Sequence, residues 1–215
     1  MNPFIYPNTK HTRKHKPDRA FADYRRYKPF LRKEFHGQCV YCMLPDSVKG
    51  QESFGVDHYM PKKKFPHLSS EYSNLFYACN VCNSHKGDFW PFDLELKKNY
   101  FIPNPCEHSM SRHLQYDGPE VKAKTTAGRC ASDVLLLNEE HFLIYRRWLI
   151  AYLYRLDKHL ANIERQQRAL SREMQKAHGE RKAVLLGALK ELEIERKKAQ
   201  EEEAFAIPSF NDSPM

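Results

Sequence analysis

The sequence lacks any long apolar run. Its 215 residues contain no stretch of about 18 apolar side chains of the kind that a membrane-spanning helix requires. The first residues have no apolar core that could act as a secretory signal, and there is no low-complexity tract. We therefore expect a cytoplasmic protein, and its 41% hydrophobic content is enough to bury a core.

Cysteine is scarce, and its spacing is informative. Four of the six cysteines form two Cys-x-x-Cys pairs, Cys39 with Cys42 and Cys79 with Cys82. In a reducing compartment such pairs are more often metal ligands than disulfides. Four thiolates complete a tetrahedral Zn²⁺ site and leave no open coordination position. The spacing predicts a structural zinc, with an iron site or two disulfides as the alternatives.

Acidic residues are too few to balance the basic ones. The net charge is +8 at pH 7, and residues 1–37 alone carry +7. Clustered Lys and Arg side chains gain affinity for polyanions by releasing phosphate counterions. We expect a nucleic-acid partner, with residues 1–18 as a mobile basic arm that becomes ordered on a phosphate backbone. A solvated tail is the alternative interpretation of this segment.

A carboxylate, an imidazole and an amide lie between or beside the cysteine pairs. A closed zinc site would draw Asp57, His58 and Asn83 toward one face of the module. Carboxylate and amide oxygens are hard ligands that favour Mg²⁺ or Mn²⁺, and a neighbouring histidine can act as a general base near neutral pH. An Asp-His pair in a plain surface turn is the alternative.

The same residues carry a family resemblance over about 50 positions. They read, in order, Cys-x-x-Cys, Asp57-His58-x-x-Pro61, Asn74-Leu75 and Cys79-x-x-Cys82-Asn83-x-x-Lys86-Gly87. This order resembles the zinc-containing HNH endonuclease family, whose ββα-metal fold holds one catalytic divalent cation between a hairpin and a helix. The chain departs from the family letters at the last position, where Asn83 replaces a histidine.

The resemblance implies a role for each matching position. Asp57 and Asn83 would ligate the catalytic cation, Mg²⁺ or Mn²⁺. His58 would activate the attacking water, and Asn74 would orient the loop through hydrogen bonds. Lys62 and Lys86 are predicted to contact the backbone of the nucleic acid.

Three further segments look like a narrower group, the HNH nucleases of Septu-type and retron-associated phage defence systems. They are Phe35-His36-Gly37-Gln38-Cys39, Ile102-Pro103-Asn104-Pro105 and Leu135-Leu136-Leu137-Asn138. In those systems the nuclease has an ATPase partner of the ABC or SMC type. The resemblance implies such a partner here.

The predicted fold class is α+β: a small ββα-metal HNH core held by a four-cysteine zinc site, an irregular wrap and a C-terminal helical hairpin. Apolar residues at three-to-four-residue spacing predict the two long helices, with a break at Gly179. Residues 37–60 should form a local hairpin that ends near His58. The expected segments are 1–36, 37–90, 91–138, 139–207 and a tail at 208–215.

The sequence therefore predicts a metal-dependent HNH endonuclease that hydrolyses phosphodiester bonds, with DNA favoured, as the effector of an antiviral defence complex. Two alternatives remain open. One is a non-catalytic zinc module that binds nucleic acid or a partner protein, and the other is an HNH nuclease that acts on structured RNA.

Overall fold

The computed structural model describes residues 3–206, so the predicted tail at 208–215 lies outside the described residues. The helices and strands are α1 (Lys28–Glu34), α2 (Asp46–Lys49), β1 (Phe54–His58), β2 (Leu75–Cys79), α3 (Asn80–Lys86), α4 (Asp93–Lys97), β3 (Leu114–Asp117), β4 (Glu120–Ala123), α5 (Thr126–Val134), α6 (Glu140–Met174) and α7 (Gly179–Ala206). Within residues 3–206, every helix is too short or too polar to span a lipid bilayer. The mixed class that the sequence predicts is confirmed.

Two antiparallel strands and one helix form the centre of the first part of the chain. β1 pairs with β2 in a register that sets Phe54 opposite Cys79 and His58 opposite Leu75. All five residues of β2 are buried, and α3 begins directly after it. The Cys79 side chain accepts a hydrogen bond from the Cys82 backbone N–H at 3.5 Å. This N-terminal cap explains why the helix starts at Asn80.

The local hairpin predicted for residues 37–60 is wrong. Gln38 and Pro45 form an isolated bridge around a tight turn that carries Cys39 and Cys42. The Val40 backbone N–H donates to the Tyr77 carbonyl at 3.0 Å, so the turn attaches to β2. Because residues 38–49 form the turn and α2, they cannot supply a strand to pair with β1. β1 pairs instead with β2, which follows it after the loop at 59–74.

The N-terminal segment differs from the mobile arm that its composition predicts. Phe4 and Tyr6 are both 3% exposed, and the Tyr6 hydroxyl donates to the Tyr41 carbonyl at 2.9 Å. The Arg13 guanidinium lies over the rings of Tyr72 and Phe76, at 5.0 and 4.9 Å from their centroids. The buried rings of Phe4 and Tyr6 and the Arg13 guanidinium stacked on Tyr72 and Phe76 hold this basic segment against the domain.

The chain divides into two compact units, one that reaches Arg147 and one that starts at Trp148. The first holds both small sheets, the β1–β2 pair and the β3–β4 pair. In the second, the later part of α6 runs antiparallel to α7, as hydrogen bonds from Tyr152 to Glu202 and from Gln167 to Glu193 show. The predicted helical hairpin is therefore present. The five-segment division stays a prediction.

Candidate active site

The four paired cysteines meet in one buried cluster. Cys39, Cys42, Cys79 and Cys82 are at most 1% exposed, and their sulfur atoms all lie within 4.8 Å of one another. Cys42 Sγ and Cys79 Sγ are 3.7 Å apart. Two sulfurs bound tetrahedrally at about 2.3 Å from Zn²⁺ would be separated by roughly 3.8 Å. The donor set fits the predicted structural zinc.

Asp57 is buried, and each of its carboxylate oxygens accepts a hydrogen bond. Its side chain is on the face of β1 that packs against α3, and the residue is 2% exposed. Tyr41 donates its hydroxyl proton to Asp57 Oδ2 at 2.5 Å, and Lys86 Nζ lies 3.1 Å from Oδ1. Burial and the neighbouring Asp57 charge raise the pKa of Tyr41, so its hydroxyl remains a donor. Asp57 thus accepts one neutral and one charge-assisted hydrogen bond.

His58 ends β1 with its ring held in one orientation. Its Nε2 lies 2.9 Å from the Ser69 carbonyl oxygen, and Tyr24 packs edge-on against the ring with centroids 4.5 Å apart. A carbonyl only accepts, so Nε2 must carry the proton, and Nδ1 has the lone pair in the neutral ring. Burial lowers the pKa of His58, although the Ser69 carbonyl and Asp57 partly oppose the shift. The neutral form, a proton acceptor, is favoured at pH 7.

Asn74 joins the loop after His58 to the start of β2. Its Oδ1 accepts from the Met60 backbone N–H at 2.8 Å. Its Nδ2 donates to the carbonyls of Met60 at 3.0 Å and Leu68 at 3.3 Å. These are the contacts that the predicted loop-orienting role requires. Any effect of Asn74 on catalysis stays a prediction.

Asn83 is half-buried and faces the same strand as Asp57. A Cβ placed on Gly55 would lie 3.7 Å from Asn83 Nδ2. Gly55 and Asp57 are two residues apart on one strand, so both face α3. The predicted cation ligands share a surface, but Lys86 already bonds to the Asp57 carboxylate. This arrangement does not fit a cation bound by Asp57 and Asn83 unless the ammonium moves, and the cation site stays a prediction.

Residues 39–89 match the family model described as HNH endonuclease. The chain contains an HNH endonuclease domain. The limits of that match enclose the cysteine cluster, Asp57, His58, Asn74 and Asn83. The resemblance drawn from the sequence motifs is confirmed.

A curated relative supports the narrower resemblance. Over 117 residues the chain is 34% identical to the Septu protein PtuB of Bacillus thuringiensis. The match covers 54% of this chain and 42% of the relative. The similarity therefore extends beyond the HNH domain, while the chain matches less than half of the relative's length.

The structure gives no support to the predicted nucleic-acid contact at Lys86, which stays a prediction. Lys86 is 2% exposed, and its ammonium donates to the His58 carbonyl at 2.6 Å as well as to Asp57. In this position the ammonium bonds to protein acceptors and is not exposed to a phosphate. Lys62 is exposed, with Nζ 5.3 Å from the centre of the Tyr24 ring that packs on His58. Its phosphate contact stays a prediction.

Sequence reasoning missed three parts of the HNH site. Tyr41 occupies one of the two variable positions between Cys39 and Cys42, so the motif assigns it no role. Ser69 contacts His58 through its backbone carbonyl, which no sequence pattern can indicate. Tyr24 belongs to an aromatic series that indicates a packing helix. Of the three residues, only Tyr41 could have been predicted to lie near Asp57. It lies between Cys39 and Cys42, and a cluster formed with Cys79 and Cys82 brings that turn against the strands that carry Asp57.

Proposed function

We propose that this chain is a metal-dependent endonuclease that hydrolyses phosphodiester bonds in nucleic acid, with DNA as the favoured substrate. The HNH domain match supports the reaction class. The observation that carries the proposal is the setting of His58: the Ser69 carbonyl binds the Nε2 proton, and burial keeps the ring neutral. A base held in this way has its Nδ1 lone pair available to accept a proton.

In the proposed reaction, His58 removes a proton from water, and the resulting hydroxide attacks phosphorus in line with the departing 3′-oxygen. Asn74 keeps the loop after His58 in place during this step. A divalent cation, Mg²⁺ or Mn²⁺, when bound, supplies charge stabilisation at the phosphate. Asp57 and Asn83 are the proposed ligands for the cation, and Lys86 would have to yield the carboxylate to it.

The biological setting is also a proposal. Similarity to the Septu protein PtuB supports a role as the effector nuclease of an anti-phage defence complex. We propose an ATPase subunit of the ABC or SMC type as the partner, and a cytoplasmic location, since reducing conditions keep four zinc-binding thiols available. Structured RNA is the alternative substrate, because cation-assisted attack on a phosphodiester does not depend on the sugar.

The direct test compares plasmid DNA and structured RNA cleavage by the wild type, His58→Ala and His67→Ala, with Mg²⁺ or Mn²⁺ and with or without a candidate ATPase. His67 is an exposed histidine in the loop that follows β1 and serves as the matched control. We expect His58→Ala to lose activity by about 100-fold or more, and His67→Ala to retain it. Equal cleavage by the wild type and His58→Ala would contradict the assignment.

The engagement of Asp57 favours a second candidate function. Because Tyr41 and Lys86 already bond to both carboxylate oxygens, the domain could serve as a non-catalytic zinc module that binds nucleic acid or a partner protein. This function predicts no cleavage under any of these conditions. It also predicts binding that weakens steeply with salt, to the same extent in the wild type and in His58→Ala.

A further inference from the structure

A cavity of about 480 Å³ begins one residue beyond His58. Tyr59 and Met60 line it, together with Asn74 and Lys86. Asn74 makes two hydrogen bonds to the Met60 backbone, and Lys86 donates to the His58 carbonyl. The cavity and the proposed catalytic centre therefore share residues. Its volume is within the range of small-molecule binding sites.

Aromatic rings form much of the cavity wall. Tyr59, Phe89, Trp90 and Phe101 all line it, and each is half-buried, so part of each ring remains accessible. Tyr59 and Trp90 meet edge to face with centroids 5.7 Å apart. Such packing fixes the orientation of the rings. Aromatic side chains of this kind are the surfaces on which unstacked nucleobases pack.

Polar groups supplement the rings. Glu107 is exposed at the cavity, and its Oε1 accepts a hydrogen bond from Asn104 Nδ2 at 3.0 Å. A carboxylate has further acceptor capacity, which suits the amino groups of nucleobases. Lys64 Nζ lies 3.4 Å from the carbonyl oxygen of Trp90. An exposed ammonium next to the aromatic wall suits the phosphate that accompanies a base.

We propose that this cavity binds one unstacked nucleobase of the strand that the HNH domain cleaves. The proposal rests on the proposed function for its substrate class. Aromatic faces, a carboxylate acceptor and a nearby ammonium match a planar ring with amino groups and an attached phosphate. A base held beside Tyr59 and Met60 would fix the position of the strand relative to His58.

The test uses the full chain with His58→Ala to prevent cleavage and Trp148→Phe to leave Trp90 as the only tryptophan. Emission from Trp90 is followed during titration with three probes: a short single-stranded DNA, the same strand with abasic residues, and free deoxynucleoside monophosphates. Phe101→Leu is then added, because leucine keeps an apolar side chain but has no ring to stack on a base. Phe205→Leu is the matched control, since Phe205 is 66% exposed and its ring is outside the cavity wall.

We expect the base-containing strand to quench Trp90 saturably, and the abasic strand to leave it unchanged. Phe101→Leu should weaken the base-dependent binding at least about fivefold, and Phe205→Leu should not. Equal quenching by the abasic strand, or no effect of Phe101→Leu, would overturn the proposal. If free nucleotides bind as tightly as the strand does, the cavity is a site for free nucleotides. That result would overturn the proposal that the bound base belongs to the cleaved strand.

The two proposals fail separately. The quenching experiment needs no catalysis, so base-dependent quenching without cleavage by the wild type would count against the nuclease function alone. Cleavage that depends on His58 with no base-dependent quenching would count against the cavity proposal alone.

Discussion

Lys86 Nζ lies 3.1 Å from Asp57 Oδ1, and both residues are 2% exposed. The pair joins α3 to β1, and the same ammonium donates to the carbonyl of His58. Asp57 therefore has a protein cation beside it at the position where a divalent metal ion is expected. Each buried charge compensates the other, so removing one partner would leave the other unpaired, and a metal ion would have to compete with the ammonium.

Replacing Lys86 with methionine should destabilise the first compact unit. The substitution leaves the Asp57 carboxylate buried without its charged partner, which costs about 3 to 5 kcal/mol. Urea unfolding monitored by circular dichroism measures the loss. Lys63→Met is the control, because the Lys63–Asp88 pair is exposed and should contribute about 0 to 1 kcal/mol. Similar small losses in both variants would show that the buried pair is not a structural requirement.

Zinc should be required for the fold of the HNH domain. Purified protein should contain one zinc per chain by elemental analysis, and Cys42→Ser should lose it along with much of its secondary structure, because metal binding and folding are coupled. Cys106→Ser is the matched control, since Cys106 is not in the cysteine cluster. Zinc retained at full stoichiometry by Cys42→Ser would exclude this cluster as the site.

Asn74→Ala should loosen the loop between β1 and β2. The loss of the side-chain bonds to Met60 and Leu68 leaves buried backbone groups unpaired, at about 1 to 3 kcal/mol. Hydrogen exchange measured by mass spectrometry should show faster exchange in residues 59–70, with β3 and β4 unchanged. Unaltered exchange in the loop would remove Asn74 from its proposed positioning role.

Glu34 should control stability at acid pH. Burial alone would raise its pKa, but hydrogen bonds from His11 and from the backbone N–H groups of Lys14 and His15 outweigh burial and hold the pKa at about 2. A depressed carboxylate pKa gives stability that is complete above the unfolded value near 4.5 and is lost as the pH falls toward 2. The contribution is on the order of 2 kcal/mol.

Unfolding of the wild type and Glu34→Gln between pH 7 and pH 2 measures this contribution. The variant should be less stable at pH 7 and should approach the wild type near pH 2. Glu71→Gln, at an exposed position, should follow the wild-type curve. A constant difference between Glu34→Gln and the wild type across this range would contradict the pKa assignment.

Lys62→Ala should weaken DNA binding without affecting the fold. Lys62 is exposed beside Tyr24 and His58, so the loss of one phosphate contact should lower the slope of log affinity against log salt by about 1. Fluorescence anisotropy at several salt concentrations gives the slope. An unchanged slope would place Lys62 outside the nucleic-acid interface.

The sequence predicts features of the site that depend on spacing along the chain. The two Cys-x-x-Cys pairs predict the buried cysteine cluster, and Asp57-His58 occupies the end of a strand. The contact between Asp57 and Lys86 could not be predicted, because it depends on how α3 packs against β1. In the N-terminal segment, charge composition indicated mobility, but Phe4, Tyr6 and Arg13 find partners far away in sequence.

The hydrogen bond from Tyr6 to Tyr41 links the N-terminal segment to the first cysteine turn. The Tyr41 carbonyl accepts a hydrogen bond from the Tyr6 hydroxyl, and the Tyr41 hydroxyl donates one to Asp57. A fragment cut to the 39–89 boundaries would therefore expose the back of the first cysteine turn and leave Tyr72 and Phe76 without Arg13. The residues that match the HNH model therefore depend, for part of their packing, on residues that precede them in the chain.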